Sequence, residues 1–453
     1  MTWSRAIVPA YLLLCLLLGG ASAAGFEGNL LLQLLGVALL AVAFAREPHG
    51  PMDLARRQLV ALLIAMLAMI AVQLVPLPPA LWTALPGRDA VAHSFQALDI
   101  TLPWLPMSLS PHNSLASGLW LIPAIAVLVA MVRLEQTRGI WLAWSLAGFS
   151  FVSIGLAAVQ AASGEGSPAY LYEITNWGVG VGFFANANHQ ASLLLMTIPF
   201  LAALYLSVLR RLSPSKASAA AIMLGGAVLV VFVGLAVNRS LAGIGLSIPV
   251  LAASVAMVVA PRRRLWPWSG ILLVLLTLGS VALVFSEPFG NNLTSSESRR
   301  SDSRLTSYSL TLPAARDYLP VGSGIGSFQE VYRSRENPAH VDSFYMNHAH
   351  SDLIELTLET GVPGLLVLLL FLMWWTKRAV SIWRGEDPAP FAQAATIASA
   401  AVLAHSLVDY PLRTAALSAL FAACCALMVE QRPRGRRRRR NSEAAAARHL
   451  AVD

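Results

Sequence analysis

The chain has 453 residues, of which 56% are hydrophobic and only 12% charged, with a formal net charge of +8. A soluble chain carries about 25% charged residues, and the apolar residues here come in runs long enough to cross a bilayer, so a soluble globular protein is excluded. The basic residues are spread over short loops and one tail, a distribution that positive-inside topology explains, and no nucleic-acid partner is expected.

The chain opens with Arg5, an apolar stretch and Ala21-Ser22-Ala23-Ala24, the form of a secretory signal. A second apolar segment follows at once, so an uncleaved first helix is the better reading. Candidate spans are then Ala6–Ala24, Asn29–Ala45, Leu59–Val75, Ser114–Val132, Ile140–Ala162, Ala191–Leu209, Ala217–Val237, Leu241–Ala260, Trp268–Phe285, Leu353–Trp375, Phe391–Ser406 and Ala415–Val429. These predict an all-α, polytopic membrane bundle of twelve helices with both termini cytoplasmic. With that orientation 23 of the 32 basic residues fall on the cytoplasmic side, and the outer loop Ser163–Gln190 has none. Three regions are expected: residues 1–113 with the first helices and an outer loop, a core at 114–430, and a basic cytoplasmic tail at 431–453.

The largest outer segment, Ser286–His350, holds Arg299, Arg300, Arg304, Arg316, Arg333 and Arg335. That concentration calls for an anionic partner or a membrane-surface role. The basic tail needs only a topology anchor attracted to anionic membrane lipids. Cys15, Cys424 and Cys425 lie in apolar runs, with no spacing for a disulfide or a zinc site.

Four polar features stand out on the outer side. Arg239, in Asn238-Arg239-Ser240-Leu241-Ala242-Gly243, sits between two spans, where an arginine snorkels to lipid phosphate or finds an anionic ligand. Its planar fork suits pyrophosphate, because it makes bidentate, charge-assisted bonds. Asn186, Asn188 and His189 precede the sixth span and could simply cap it. Asn347-His348-Ala349-His350-Ser351-Asp352 leads into the tenth span. No third ligand accompanies the two histidines, so no metal is expected there. A histidine in this place can act as a general base, and Ser351 is a reasonable N-cap. The glycines of Pro320-Val321-Gly322-Ser323-Gly324-Ile325-Gly326-Ser327-Phe328 could form a phosphate nest, but a plain turn is the better reading.

Taken together, these features resemble the O-antigen ligase and polysaccharide polymerase superfamily, integral membrane glycosyltransferases of the GT-C kind. The pattern of that family is a histidine, a small polar residue, nine further residues and Gly-x-x-Gly; here His350-Ser351, Asp352 to Thr360 and Gly361-Val362-Pro363-Gly364 fit it throughout. The Phe184-to-His189 segment, Arg239 with Gly243, and the glycine run to Phe328 are similar to the family. So is Arg304 followed by Tyr308, although tryptophan is commoner at that aromatic position. The ending His405 to Arg413 resembles a subgroup associated with exopolysaccharide export.

The resemblance implies an undecaprenyl-pyrophosphate-linked glycan donor, and a glycan or lipid-A-core-type acceptor, at the periplasmic face of a bacterial inner membrane. It implies that Arg239 and Arg304 bind the pyrophosphate and that His350 deprotonates the acceptor hydroxyl. Asn186, Asn188, His189, His348 and Arg316 are further candidates for substrate contact. No metal, nucleotide or other cofactor is implied. Ligase and polymerase share this chemistry and differ only in acceptor. The competing class is a transporter or flippase for a lipid-linked glycan, which twelve helices would suit; against it, no repeated half is visible and the polar residues gather at one face.

Overall fold

The computed structural model describes residues 3–22, 27–46, 52–134, 139–209, 213–259, 267–283, 295–338, 346–385 and 389–429. The basic tail from Gln431 lies outside the described residues, as do Arg138, Arg210, Arg211 and Arg262 to Arg264 and the side chains of Arg5, Arg299 and Arg300.

A helix occupies each predicted span: α1 Trp3–Leu18, α2 Glu27–Phe44, α3 Leu54–Gln73, the consecutive α6 Pro111–Trp120 and α7 Ile122–Arg133, α8 Gly139–Ser163, α9 Ala187–Leu209, α10 Pro214–Asn238, α11 Leu241–Val259 and α12 Pro267–Leu283. After a further segment come α15 Asp352–Arg384, α16 Pro390–His405 and α17 Ala415–Met428. By length and composition, eight helices among the described residues are long and apolar enough to cross a membrane, counting α6 and α7 as one, and α1, α12 and α17 contribute shorter apolar helices. The protein is an all-α polytopic membrane protein.

Small residues set the packing. α9 lies at the centre, with 72% of its most apolar stretch buried, against 17% for the peripheral α10. Leu193, Leu194, Met196 and Phe200 of α9 are buried in one cluster with Ala394, Ala398 and Ala401 of α16 and Leu417 and Leu420 of α17. The alanine stripes of α16 and α17 let backbones approach closely, and close van der Waals contact is what holds helices together where lipid is as apolar as the core. Cys15 and Cys424 are free and buried in that cluster, and Cys425 is free and buried in a smaller one with Trp374 and Val429.

The segments between helices are more ordered than the sequence suggested. After α3, strands β1 (Pro76–Leu77) and β2 (Leu105–Pro106) pair antiparallel around α4 (Pro79–Trp82) and α5 (Asp89–Ala97). Buried Arg88 ties this unit to the glycine run through Met107 O at 2.5 Å and Gly322 O at 3.2 Å. The arginine-rich segment contains a helix of 24 residues, α13 (Ser295–Tyr318), and a short α14 (Phe328–Arg333). A polar helix of this length was not apparent in a region with no apolar periodicity.

The glycine run is a turn, and its donors are spent inside the protein. Gly322, Gly324 and Gly326 all have positive φ, which glycine alone adopts without strain. Gly324 N–H donates to Glu359 O at 2.9 Å, Ile325 N–H to Gln73 Oε1 at 3.0 Å and Gly326 N–H to Glu359 Oε1 at 2.8 Å. The anion held by this loop is therefore the protein's own carboxylate. The second glycine motif serves the same junction. α15 breaks at Gly361 (φ 57°), where a Cβ would lie 2.2 Å from Pro320 O.

Candidate active site

The predicted residues other than Arg316 lie toward one end of the bundle, where α9 begins, α10 turns into α11, and α15 begins beside the α16–α17 loop. Asn186 caps α9, its Oδ1 accepting from Asn188 N–H at 2.8 Å. The capping reading of that asparagine is correct at the level of local structure. Asn188 instead bridges two elements, its Oδ1 accepting from Ser240 Oγ at 2.7 Å and so joining α9 to the α10–α11 turn.

That turn explains the Arg-x-x-x-Gly spacing. Buried Asn238 donates to Gly180 O at 2.9 Å and Ala187 O at 2.7 Å. Ser240 Oγ accepts from Gly243 N–H at 3.0 Å and so caps α11. Gly243 lets α11 close on α9, since a Cβ there would lie 2.6 Å from Ala191 Cβ. Arg239 is the apex, left-handed at φ 59° with an exposed side chain. Among the described residues its guanidinium has no hydrogen-bond or ion-pair partner.

His350 is also left-handed, at φ 55°. Ser351 is the N-cap of α15, as expected, its side chain accepting from Ile354 N–H at 3.4 Å. Tyr308 of α13 donates to His350 O at 2.8 Å, and burial pushes its phenol up to about 12. Asp99 is the one other non-glycine residue with positive φ among the described residues. Such conformations cost about 1–3 kcal/mol and gather at functional sites. Two of the three here belong to residues singled out for chemistry.

The centre of the site is a residue to which sequence reading gave no role. Asp409, fully buried in the loop after α16, has Oδ1 3.6 Å from His350 Nδ1 and Oδ2 3.8 Å from His189 Nε2. These contacts are longer than formed hydrogen bonds, and catalytic contacts of this kind commonly tighten only around substrate. Burial alone would push the Asp409 carboxyl up, but the facing His350 ring and the charges of His189 and His405 outweigh it, holding it well below the usual carboxylate range. With Nδ1 turned toward Asp409, His350 Nε2 is the nitrogen left for a reacting proton, and its side chain is 22% exposed. The Tyr410 ring packs against His189, His348 and His350 at centroid distances of 5.1, 4.6 and 5.2 Å.

The two arginines of the pyrophosphate reading connect to this pair in different ways. Arg239 is joined to it through Ser240, Asn188 and His189. Arg304, half-buried on α13, exerts its charge on Tyr308 and His405. Arg316 is not brought in: it is exposed on α13, about 18 Å further along the axis. His348 turns to Glu355, with Nδ1 2.8 Å from Oε1.

A second set, also missed, supports the first. Arg413 lies 3.4 Å from Asp352, 3.1 Å from Glu355 and 3.2 Å from Glu359. Burial would lower its pKa, but the three carboxylates outweigh that and raise it further. A signal for this set existed. Positions 352, 355 and 359 share one helix face, a stripe of acid in an otherwise apolar helix that needs a cation. Among the described residues no cluster of three or more His, Cys, Asp or Glu is arranged to hold a metal ion.

Comparison with known proteins gives a family match over residues 226–369, to the model described as O-Antigen ligase. The matched range encloses Arg239, Arg304, His348, His350, Gly361 and Gly364, and leaves Asn186, His189, Asp409 and Arg413 outside it. No curated protein matches the chain.

Proposed function

On the match of residues 226–369 the chain belongs to the O-antigen ligase family, with a general role in surface polysaccharide ligation, and from that premise we propose the reaction and the residues that perform it. The donor is a glycan on undecaprenyl pyrophosphate, met at the periplasmic face of the inner membrane, and the acceptor is a hydroxyl of another glycan or of a lipid-A-core-type molecule. The observation that carries the reading is His350 Nδ1 facing buried Asp409 at 3.6 Å, in a cluster where Arg304 exerts its charge on His405.

Asp409 orients the imidazole and stabilises the imidazolium that forms when Nε2 takes a proton, the role a buried carboxylate plays behind a catalytic histidine. The acceptor oxygen attacks the anomeric carbon as its proton moves to His350. The bond from that carbon to the pyrophosphate oxygen breaks, and its electron pair stays on the phosphate. In-line displacement inverts the anomeric centre. Arg239 and Arg304 meet the negative charge growing on the leaving group, and each such preorganised contact is worth about 3–4 kcal/mol of barrier. The ligand also gives Arg239 the partner it lacks among the described residues. The step uses protein groups alone, without metal or nucleotide.

The test is transfer by purified protein from a lipid-linked glycan to acceptor, without added metal or nucleotide. His350→Ala should lower kcat by about 10²–10⁴, the usual contribution of a general base. Full turnover in that variant would overturn the base assignment. Movement of the lipid across the bilayer with no new glycosidic bond would overturn the enzyme reading.

A further inference from the structure

α1 is a core element of the bundle, with Val8, Leu12, Cys15 and Leu16 fully buried. The helix ends at Leu18, but the chain does not leave for the surface there. Gly19 to Ser22 run on without helix, and Gly19, Gly20 and Ala21 are buried. Their carbonyls go to separate parts of the site. Gly19 O accepts from Ala416 N–H at 3.0 Å, at the start of α17 and just past the loop that carries Asp409 and Arg413. Gly20 O accepts from Ala185 N–H at 3.2 Å, one residue before the cap of α9. Ser22 O lies 3.4 Å from His348 Nε2, and because a carbonyl can only accept, that nitrogen carries the hydrogen of the bond. Ser22 Oγ accepts from Asn347 Nδ2 at 3.5 Å. Glycine is required at position 20, since a Cβ there would run into Phe183 O.

Resting on the reading of His350 as the base, we propose that Gly19–Ser22 is part of the active site, a strut that positions His350 through His348. The left-handed backbone of His350 persists only where the surroundings over-determine it, and Asn347 to Ala349 before it form neither helix nor strand. That strip is held from three directions. α15 supplies Glu355, with Oε1 2.8 Å from His348 Nδ1 and Oε2 accepting from Ala349 N–H at 2.8 Å. α13 supplies Tyr308, bonded to His350 O. The end of α1 supplies Ser22, which meets the other nitrogen of the His348 ring. His348 therefore spans from the Arg413 set to α1, and its ring fixes where His350 begins. Displacing a reacting group by about 1 Å can cost about 10²-fold in rate, and the His350–Asp409 contact at 3.6 Å depends on this placement. On this reading His348 is a positioning residue rather than a substrate contact. α1 lies outside the family match, which begins at residue 226. Ala21 and Ser22, which in sequence read as part of a secretory-signal cleavage site, have a place inside the fold instead.

The test measures transfer by Gly20→Ala, Ser22→Ala and His348→Ala, each alone and each combined with His350→Ala, with thermal unfolding to check that every variant is folded. Gly20→Ala and His348→Ala should each lower kcat about ten-fold or more, with the KM for donor and acceptor unchanged. Ser22→Ala adds no bulk and should lower kcat about three-fold, the low end for one hydrogen bond. None of the three should slow His350→Ala further, because the strut then has no base to place. A raised KM with kcat retained in His348→Ala would make that residue a substrate contact and overturn the strut. Losses that multiply with that of His350→Ala would do the same, as would unchanged turnover in both Gly20→Ala and Ser22→Ala. If Gly20→Ala does not fold, Ser22→Ala decides. Intact-mass spectrometry of the purified, active protein adds a readout independent of turnover: Gly19–Ser22 should be present, and an active chain beginning at Gly25 would rule the strut out. Full turnover in His350→Ala would overturn the base reading, whereas a slowed His350→Ala beside full turnover in the strut variants would overturn the strut alone.

Discussion

Two polar clusters lie side by side at the same end of the bundle and differ in one respect. Around Arg413, every carboxylate is engaged: Asp352 also accepts from Ser406 Oγ at 2.7 Å, Glu355 from Ala349 N–H at 2.8 Å, and Glu359 from Gly326 N–H at 2.8 Å. Around Asp409, both carboxylate oxygens, both ring nitrogens of His189, His405 Nε2 and His350 Nδ1 are buried without a hydrogen-bond partner among the described residues. A saturated network fixes geometry; an unsaturated one retains the capacity to act on something else. In the proposed reaction the Arg413 set is the frame and the Asp409 set the working part. Asp352 links them, its N–H donating to Ser406 O at 2.9 Å and Asp409 O at 3.2 Å.

The frame should fail first and most heavily. Arg413→Met leaves buried Glu355 and Glu359 and half-buried Asp352 without their shared cation, and loss of one partner from a buried ion network costs about 3–5 kcal/mol. A large fall in the thermal unfolding midpoint of the purified protein is expected. His350→Ala should leave that midpoint unchanged, because the ring makes no hydrogen bond among the described residues. Equal destabilisation by the two changes would erase the distinction between the clusters.

Arg239→Lys keeps the charge but removes the bidentate fork. The donor KM should rise about ten-fold, roughly 1.4 kcal/mol, with the unfolding midpoint unaffected. Unaltered kinetics would mean that Arg239 only snorkels to lipid phosphate.

The smallest effect sharpens the contrast from the supporting side. Tyr308→Phe removes one hydrogen bond to the His350 backbone, worth about 1 kcal/mol, so kcat should fall about five-fold. Because burial raises the Tyr308 phenol to about 12, it stays protonated as a donor throughout ordinary assay conditions. The factor should therefore be constant from about pH 6 to 9. A factor that changes across that range would assign Tyr308 a titrating role.

The helices were legible because apolar runs of spanning length have few alternatives, and each predicted span holds one. His350, Ser351, Gly361 and Gly364 were legible because their spacing is local, and the helix start and helix break they make are local too. Asp409 and Arg413 were not. They lie in a short loop between two apolar helices, and their partners are 59 and 54–61 residues away, at His350 and along α15. Only packing brings them together. A hint was present in the density of polar residues from His405 to Arg413, more than a turn between two membrane helices requires. Arg88 was illegible for the same reason, since its carbonyl partner Gly322 is 234 residues distant.

The central claim is that His350 and Asp409 act as one unit. It is tested most directly by a double-mutant cycle on single-turnover transfer, using His350→Ala, Asp409→Asn and the two combined. The pair acting as base and orienter predicts that the double variant is no slower than His350→Ala alone, because Asp409 has nothing left to orient. Losses that multiply, with the double variant slower than His350→Ala by the full Asp409→Asn factor, would contradict it.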